Sequence, residues 1–369
     1  MSDGLGVAML TPAFWPEVRR GTERMVHELS RGLIDRGHDP RVITSHPGRP
    51  GTGEEDGVPV IRVPRPPQGR LQRRGFEDYL THVPLSYAAL RVLAPDVAHA
   101  WFTTDALAAI RYGRATGRPV VHSYMGIPDH TGVMWRRRRL AITLKALEGS
   151  DVTVSLSRHV ADEFRRSFGH ETPVIPPPVD VEHFRPRGER TAEPTAICAA
   201  VMDDVGSRKR VHLLVEAWPL VRRERPGARL LLNRPRTPQL AAAVADPALG
   251  IEIADMDDRE ELARLYAASW VSVLPSWGEA FGLVLAEAMA CGTPAVGSNL
   301  AGIPEVVDSP DIGRLFDGDE PAALARAILE TFELAGDPAT AEACRARALL
   351  LSRDACTDAY EALYRELLS

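Results

Sequence analysis

Residues 274–307, LPSWGEAFGLVLAEAMACGTPAVGSNLAGIPEVV, constrain this chain more than any other stretch. Just before them, residues 271–274 are an apolar run stopped by Pro275, which predicts a short buried strand. Gly278 and Gly282 bracket Glu279. Residues 283–290 are strong helix formers, and Gly292 with Pro294 beyond it predicts the helix stop. Inside that helix Glu287 stands among Leu283, Val284, Leu285, Ala286, Ala288, Met289 and Ala290. No face of the helix is polar, so the carboxylate is predicted to be desolvated, which costs several kcal/mol without a partner. Two kinds of partner fit: one of the many arginines of the chain, or a group that arrives from outside, such as a ligand hydroxyl.

Glu279 and Glu287 are eight residues apart, roughly 12 Å on a continuous helix, too far to hold one small group. A helix that begins near Gly282 instead leaves Glu279 ahead of its N-terminus. The backbone N–H groups of Ala280, Phe281, Gly282 and Leu283 then aim at one point, which is an anion site. Such a stretch suits a ligand with phosphate in the middle and hydroxyls at both ends, as in a nucleotide-sugar.

The pattern P-S-x-x-E-x-F-G-x-x-x-x-E-A-M-A-x-G-x-P resembles the signature of the retaining family-4 glycosyltransferases, and Gly302, Pro304, Glu305 and Val306 extend the match. The resemblance implies an α/β protein of the GT-B fold, two Rossmann-like domains with parallel sheets facing across a cleft. Residues 1–178 are then the acceptor-side domain, 179–352 the nucleotide-sugar domain, and 353–369 a helix packing back on the first domain. It also implies retention at the anomeric carbon, no metal, and no cofactor beyond the donor, for example a UDP- or GDP-sugar.

In the first half, strands are predicted at 5–10, 41–44, 58–63, 96–100 and 119–121, with helices at 21–36 and 105–116 between them. This alternation means a parallel α/β sheet. Residues 47–57 read as a turn-rich loop. Gly4 and Gly6 stand at the start of their strand and not after it, so they are not a dinucleotide fingerprint. By resemblance Gly21 opens the first helix beside the donor phosphates, although the family's usual second glycine is Arg20 here. The resemblance also predicts a donor-sugar histidine after the strand at 119–121. Met125, beside Gly126, occupies its place, and His122, three residues earlier, is expected to point elsewhere; His99 ends another strand. Trp15, Trp101, Tyr124 and Met125 are acceptor-side candidates, because aromatic rings suit a cyclic acceptor; core packing accounts for each as well. Arg136, Arg137, Arg138 and Arg139 follow Trp135 and read either as a solvated helix face or as a site for acidic headgroups, a weak peripheral membrane contact, or an anionic acceptor.

The proline-dense run at 174–186 predicts a stiff linker. After a strand at 197–201, a glycine-containing loop delivers Arg208, Lys209 and Arg210 ahead of an amphipathic helix. Three adjacent cations repel unless an anion sits among them; a solvated loop with structural ion pairs is the other reading. In the family a basic residue at the place of Lys209 neutralises the donor diphosphate. The family's other arginine is replaced by Val201 and Met202, and Arg208 is the substitute. Asp255, Asp257 and Asp258 imitate a D-x-D metal motif, but Glu260 and Glu261 follow, which predicts a helix N-cap with a capping box. Residues 360–368 form an amphipathic helix.

The net charge of −6 argues against nucleic-acid binding. Cys198, Cys291, Cys344 and Cys356 show no C-x-x-C pair and read as reduced and structural, and the start of the chain lacks a signal-peptide pattern, so a cytoplasmic protein is expected. No apolar stretch is long enough to span a membrane. The predicted activity is a glycosyltransferase. Lys209, Arg208 and the amides near Gly282 face the diphosphate, Glu279 the sugar, Glu287 the ribose, and the acceptor is a small molecule or a glycolipid. A nucleotide-sugar-binding protein without transferase activity and a GT-B epimerase are the alternatives, suggested by Met125 and the missing arginine.

Overall fold

A computed structural model describes the chain except residues 1–3, 19–20, 49, 75, 77–78, 129–132, 134–135 and 201–207. It divides into two compact units, residues 1–178 with 353–369, and residues 179–352.

The first unit holds a seven-stranded sheet. Its strands are β1 (Gly6–Leu10), β2 (Asp39–His46), β3 (Gly51–Glu55), β4 (Val58–Pro64), β5 (Val97–Ala100), β6 (Val120–Tyr124) and β7 (Val152–Ser155), in the order β3-β4-β2-β1-β5-β6-β7. All neighbours are parallel except β3 and β4. The helices are α1 (Gly21–Asp35), α2 (Gly69–Gln72), α3 (Val83–Leu93), α4 (Thr103–Thr116), α5 (Arg137–Gly149) and α6 (Arg158–Phe168). The central strands read as continuous apolar runs because helices cover both faces of a parallel sheet.

The loop expected at 47–57 is instead the edge strand β3, paired antiparallel with β4 from Gly51 opposite Arg62 to Glu55 opposite Val58. Its sequence GTGEE has no apolar side to bury, and four of its five residues are exposed. What makes it a strand is the Asp56–Gly57 turn, both residues at positive φ (47° and 81°), which closes a hairpin of the Asp-Gly type.

The second unit has a six-stranded, all-parallel sheet. Its strands are β8 (Thr195–Cys198), β9 (Arg229–Asn233), β10 (Ile251–Ala254), β11 (Val271–Leu274), β12 (Ala295–Ser298) and β13 (Gly313–Phe316), in the order β10-β9-β8-β11-β12-β13. Its helices are α7 (Val211–Glu224), α8 (Pro238–Val244), α9 (Arg259–Ala268), α10 (Leu283–Ala290), α11 (Pro321–Ala335) and α12 (Pro338–Leu349). In each unit the connections change direction across the first strand, between β1 and β5 and between β8 and β11. In open α/β sheets ligands gather at the carboxyl ends of strands at that switch.

The final helix, α13 (Arg353–Leu368), belongs to the first unit and buries Tyr360 and Tyr364 completely. His99 on β5 joins the Tyr364 hydroxyl through Nδ1 (2.7 Å) and Ser123 Oγ through Nε2 (2.7 Å), and Ser123 Oγ in turn meets the Tyr360 hydroxyl (2.8 Å). This network uses His99 for structure. Burial, and then the neighbouring His122, hold the His99 pKa well below its ordinary value; burial and then His170 lower that of His122 to about 4. Both rings are therefore neutral in the folded protein, whereas the unfolded chain protonates them below about pH 6.5. Stability should be flat above pH 6.5 and fall as pH drops from there towards 4, by up to about 1.4 kcal/mol per pH unit for each histidine. Melting curves from pH 7 to 5 check this, and His122→Leu should flatten the slope. A variant with an unchanged slope would remove His122 from the account.

All four cysteines are buried and free. For Cys291, burial and then the nearby Glu287 carboxylate push the thiol up to about 12. Among the described residues no helix is long and apolar enough to cross a membrane.

Candidate active site

In the second unit the segment after β11 and the segment before α7 meet at the switch point. Gly282 caps α10 at φ +109°, a left-handed conformation that a side chain would strain. This turn leaves the N–H groups of Ala280, Phe281, Gly282 and Leu283 with no acceptor among the described residues. The loop carrying them is clamped from behind: Gly302 N donates to Glu279 O at 2.9 Å, and a Cβ at Gly302 would lie 2.3 Å from Ala280 O.

Lys209 Nζ donates to Glu279 Oε1 at 2.5 Å, and Ser276 Oγ donates to the same oxygen at 2.7 Å. The ammonium is 28% exposed and the carboxylate 14%, so the pair borders solvent beside the open amides. Arg208 is exposed, and its carbonyl accepts from Trp277 N and Ser276 Oγ, tying the two segments together. Arg210 is different. It begins α7 at φ +50° with its side chain buried, donates to the carbonyls of Pro275 (2.5 Å) and Gly318 (3.2 Å), and pairs with Asp319. The expectation that three cations await one anion is thereby corrected. Arg210 is spent on structure and Lys209 holds Glu279, so mutual repulsion needs no external ion. Glu287 is 3% exposed in the middle of α10, whose residues from Leu285 to Ala290 are all buried.

The first unit carries its own pocket at the carboxyl ends of β5 and β6, about 390 Å³ in volume. Trp101, Tyr124 and Met125 line it, with Arg139 and Ile142 of α5 on another wall and Thr22 of α1 nearby. His122 belongs to the same wall, with its ring fully buried behind the surface. Among the described residues, both His122 nitrogens, Trp101 Nε1 and Thr104 Oγ1 are buried polar atoms without a hydrogen-bond partner. Gly21 begins α1 with open space where a side chain would project. Trp15 lies outside the pocket; it is 5% exposed and stacks on His27 at 4.1 Å.

Residues 19–183 match the family described as Glycosyltransferase Family 4, and residues 193–333 match Glycosyl transferases group 1. The chain is a family-4 glycosyltransferase. It is 24% identical over 344 residues to a D-inositol 3-phosphate glycosyltransferase of Paenarthrobacter aurescens, covering 85% of this chain and 84% of that one. Among solved structures it resembles a sucrose-phosphate synthase of Thermosynechococcus elongatus with TM-score 0.79, 23% identity and 98% of each chain covered. It also resembles Anabaena HepE in complex with UDP-glucose with TM-score 0.73 and 16% identity, covering 97% of this chain and 99% of that one. These likenesses establish the GT-B fold of two parallel-sheet units.

Of the sequence-predicted donor residues, Arg208, Lys209, Glu279, Ala280, Phe281, Gly282, Leu283 and Glu287 lie in the second unit of the glycosyltransferase, and Gly21 lies in the first. Three expected features, Arg20 beside Gly21, the Val201–Met202 pair and Trp135, lie outside the described residues. Sequence reasoning missed Ser276, whose position three residues before Glu279 was the available signal, and Asp319, which no local pattern marks. The D-x-D imitation is an N-cap: Asp258 accepts from Glu261 N at 2.8 Å. The return bond of a capping box is absent because Glu261 pairs with Arg264 instead. Among the described residues no group of three or more His, Cys, Asp or Glu side chains could hold a metal ion.

Proposed function

We propose that this glycosyltransferase takes a sugar from a nucleoside-diphosphate sugar, with retention and without a metal, and gives it to a hydroxyl of a small cyclic acceptor or glycolipid headgroup. The observation that carries the proposal is Lys209 beside the unpartnered amides at the start of α10. A leaving diphosphate gains negative charge as the glycosidic bond breaks. Fixed N–H dipoles and cations placed where that charge develops lower the barrier. Lys209, Arg208 and the amides of Ala280, Phe281, Gly282 and Leu283 fill this role. In the free enzyme Glu279 neutralises Lys209. When phosphate engages the ammonium, the Glu279 carboxylate, still oriented by Ser276, is released to accept sugar hydroxyls. Glu287 serves the ribose. On this reading the departing phosphate oxygen takes the acceptor proton, which suits attack from the side the leaving group vacates and hence retention.

The acceptor reading rests on the pocket of about 390 Å³, within the usual size for small-molecule sites, walled by Trp101, Tyr124 and Met125. The name of the inositol phosphate relative gives a cyclic polyol phosphate as a first acceptor to try, and the HepE complex gives UDP-glucose as a first donor.

A panel of UDP-, GDP-, dTDP- and ADP-sugars, each with and without candidate acceptors and with chelator present, tests the proposal. Acceptor-dependent release of nucleoside diphosphate with an unchanged anomeric configuration is expected. An altered sugar still joined to its nucleotide, or turnover that chelator abolishes, would overturn it. Glu287→Gln should weaken binding of the bare nucleotide by about 10-fold, the scale of one charge-assisted hydrogen bond. Titration calorimetry separates this from a sugar role: an effect confined to sugar-bearing donors would reverse the assignments of Glu279 and Glu287.

A further inference from the structure

Two separate elements of the first unit place arginines on one surface. α2 and the turn after it carry Arg70, Arg73 and Arg74, and the start of α5 carries Arg136, Arg137 and Arg138. All six are exposed. Arg138 joins the two elements, its guanidinium stacked 3.8 Å from the ring centroid of Phe76. Among the described residues none of the six guanidiniums has an ion-pair partner. Against them the adjoining sequence sets Glu77 and Asp78 beside α2, and Asp129 and Glu148 on either side of the α5 cluster. This concentration stands on a chain whose net charge is −6. It is also set against local energetics. The first turn of α5 has no acidic residue, and cations there face the positive end of the helix dipole. Along α5 the exposed positions Arg137, Ala141, Leu144 and Lys145 recur at helical spacing, with Leu144 38% exposed, so the basic face carries an apolar residue. Ile142 and Arg139 of the same helix line the pocket.

We propose that the α2–α5 surface docks the protein on a membrane bearing anionic lipid headgroups. Guanidinium forks match phosphate oxygens, several arginines on two stitched elements match a flat array of headgroups better than one point anion, and Leu144 can enter the interface. The inference is independent of the transferase reading, because binding is measured without donor or acceptor.

Flotation of the full chain with phosphatidylcholine vesicles, and with the same vesicles containing phosphatidylglycerol, tests it. Binding is expected only to the anionic vesicles, weakening as salt rises past about 0.1 M. Each basic residue near an anionic leaflet contributes about 5-fold, so Arg73→Glu with Arg137→Glu should lower partitioning by about 30-fold or more. Arg73→Lys with Arg137→Lys keeps the charge and should keep most of the binding, which separates lost charge from lost folding. Equal binding to neutral vesicles, undiminished binding by the charge-reversed variant, or retention of soluble polyanions such as heparin without vesicle binding would overturn the proposal.

Discussion

Lys209→Ala is expected to lower turnover by about 10²–10³-fold, the effect of removing one preorganised group that meets charge developing in the transition state. The fold should tolerate the change. The Lys209–Glu279 pair borders solvent, and such pairs contribute under about 1 kcal/mol to stability. Turnover measured as nucleoside diphosphate release, beside thermal unfolding, separates the two readouts. Lys209→Arg should restore part of the rate, because it returns a cation but not a compact ammonium. Undiminished turnover in Lys209→Ala would leave the pair with Glu279 as a surface ion pair and nothing more.

Gly302→Ala is expected to raise the dissociation constant for nucleotide by at least about 10-fold, with no change to any group that touches it. The added Cβ would lie 2.3 Å from Ala280 O and 2.9 Å from Phe281 Cα, both backbone atoms that cannot rotate away. The strain can be relieved only by displacing the loop whose amides face the phosphate site, or the 3₁₀ turn at Ile303–Glu305 behind it. Overpacking of this kind costs about 1–3 kcal/mol, which is a fall of several degrees in Tm for a unit of this size. Calorimetric titration with the preferred nucleoside diphosphate, paired with a melting curve, checks both numbers. Wild-type affinity together with wild-type Tm would mean that Gly302 does not hold this loop.

Both predictions concern residues that local pattern exposes well. Residues 283–290 could be read as α10 because helix formers, a glycine start and a Gly–Pro stop agree with one another. The parallel sheets were legible because strands buried on both faces are continuous apolar runs. The edge strand β3 was not, because an exposed strand has no apolar alternation and its Asp–Gly turn was read as a loop signal. Site chemistry follows the same division. Glu279 and Lys209 carry charge in a distinctive setting, but that they hold each other depends on the pairing of β8 with β11, which no local spacing encodes. Arg210 was grouped with Lys209 by adjacency alone; the left-handed residue that starts α7 sends its side chain to Pro275 and Asp319. Counting along β6 separates His122 from Met125: His122 is fully buried within the strand, and Met125 follows its end at the pocket.

The placement of α13 has a consequence for how the polypeptide is made. Tyr360 and Tyr364 complete the hydrogen bonds of His99 and Ser123, yet they are synthesised only after the whole second unit. A chain made in N-to-C order must therefore hold its first sheet, with His99 lacking its Tyr364 partner, while the whole second unit emerges and folds. An expressed fragment ending at residue 178 would be fixed in that unfinished state. A nascent chain can gain a finished first unit only once α13 has been made, after the whole of the second unit.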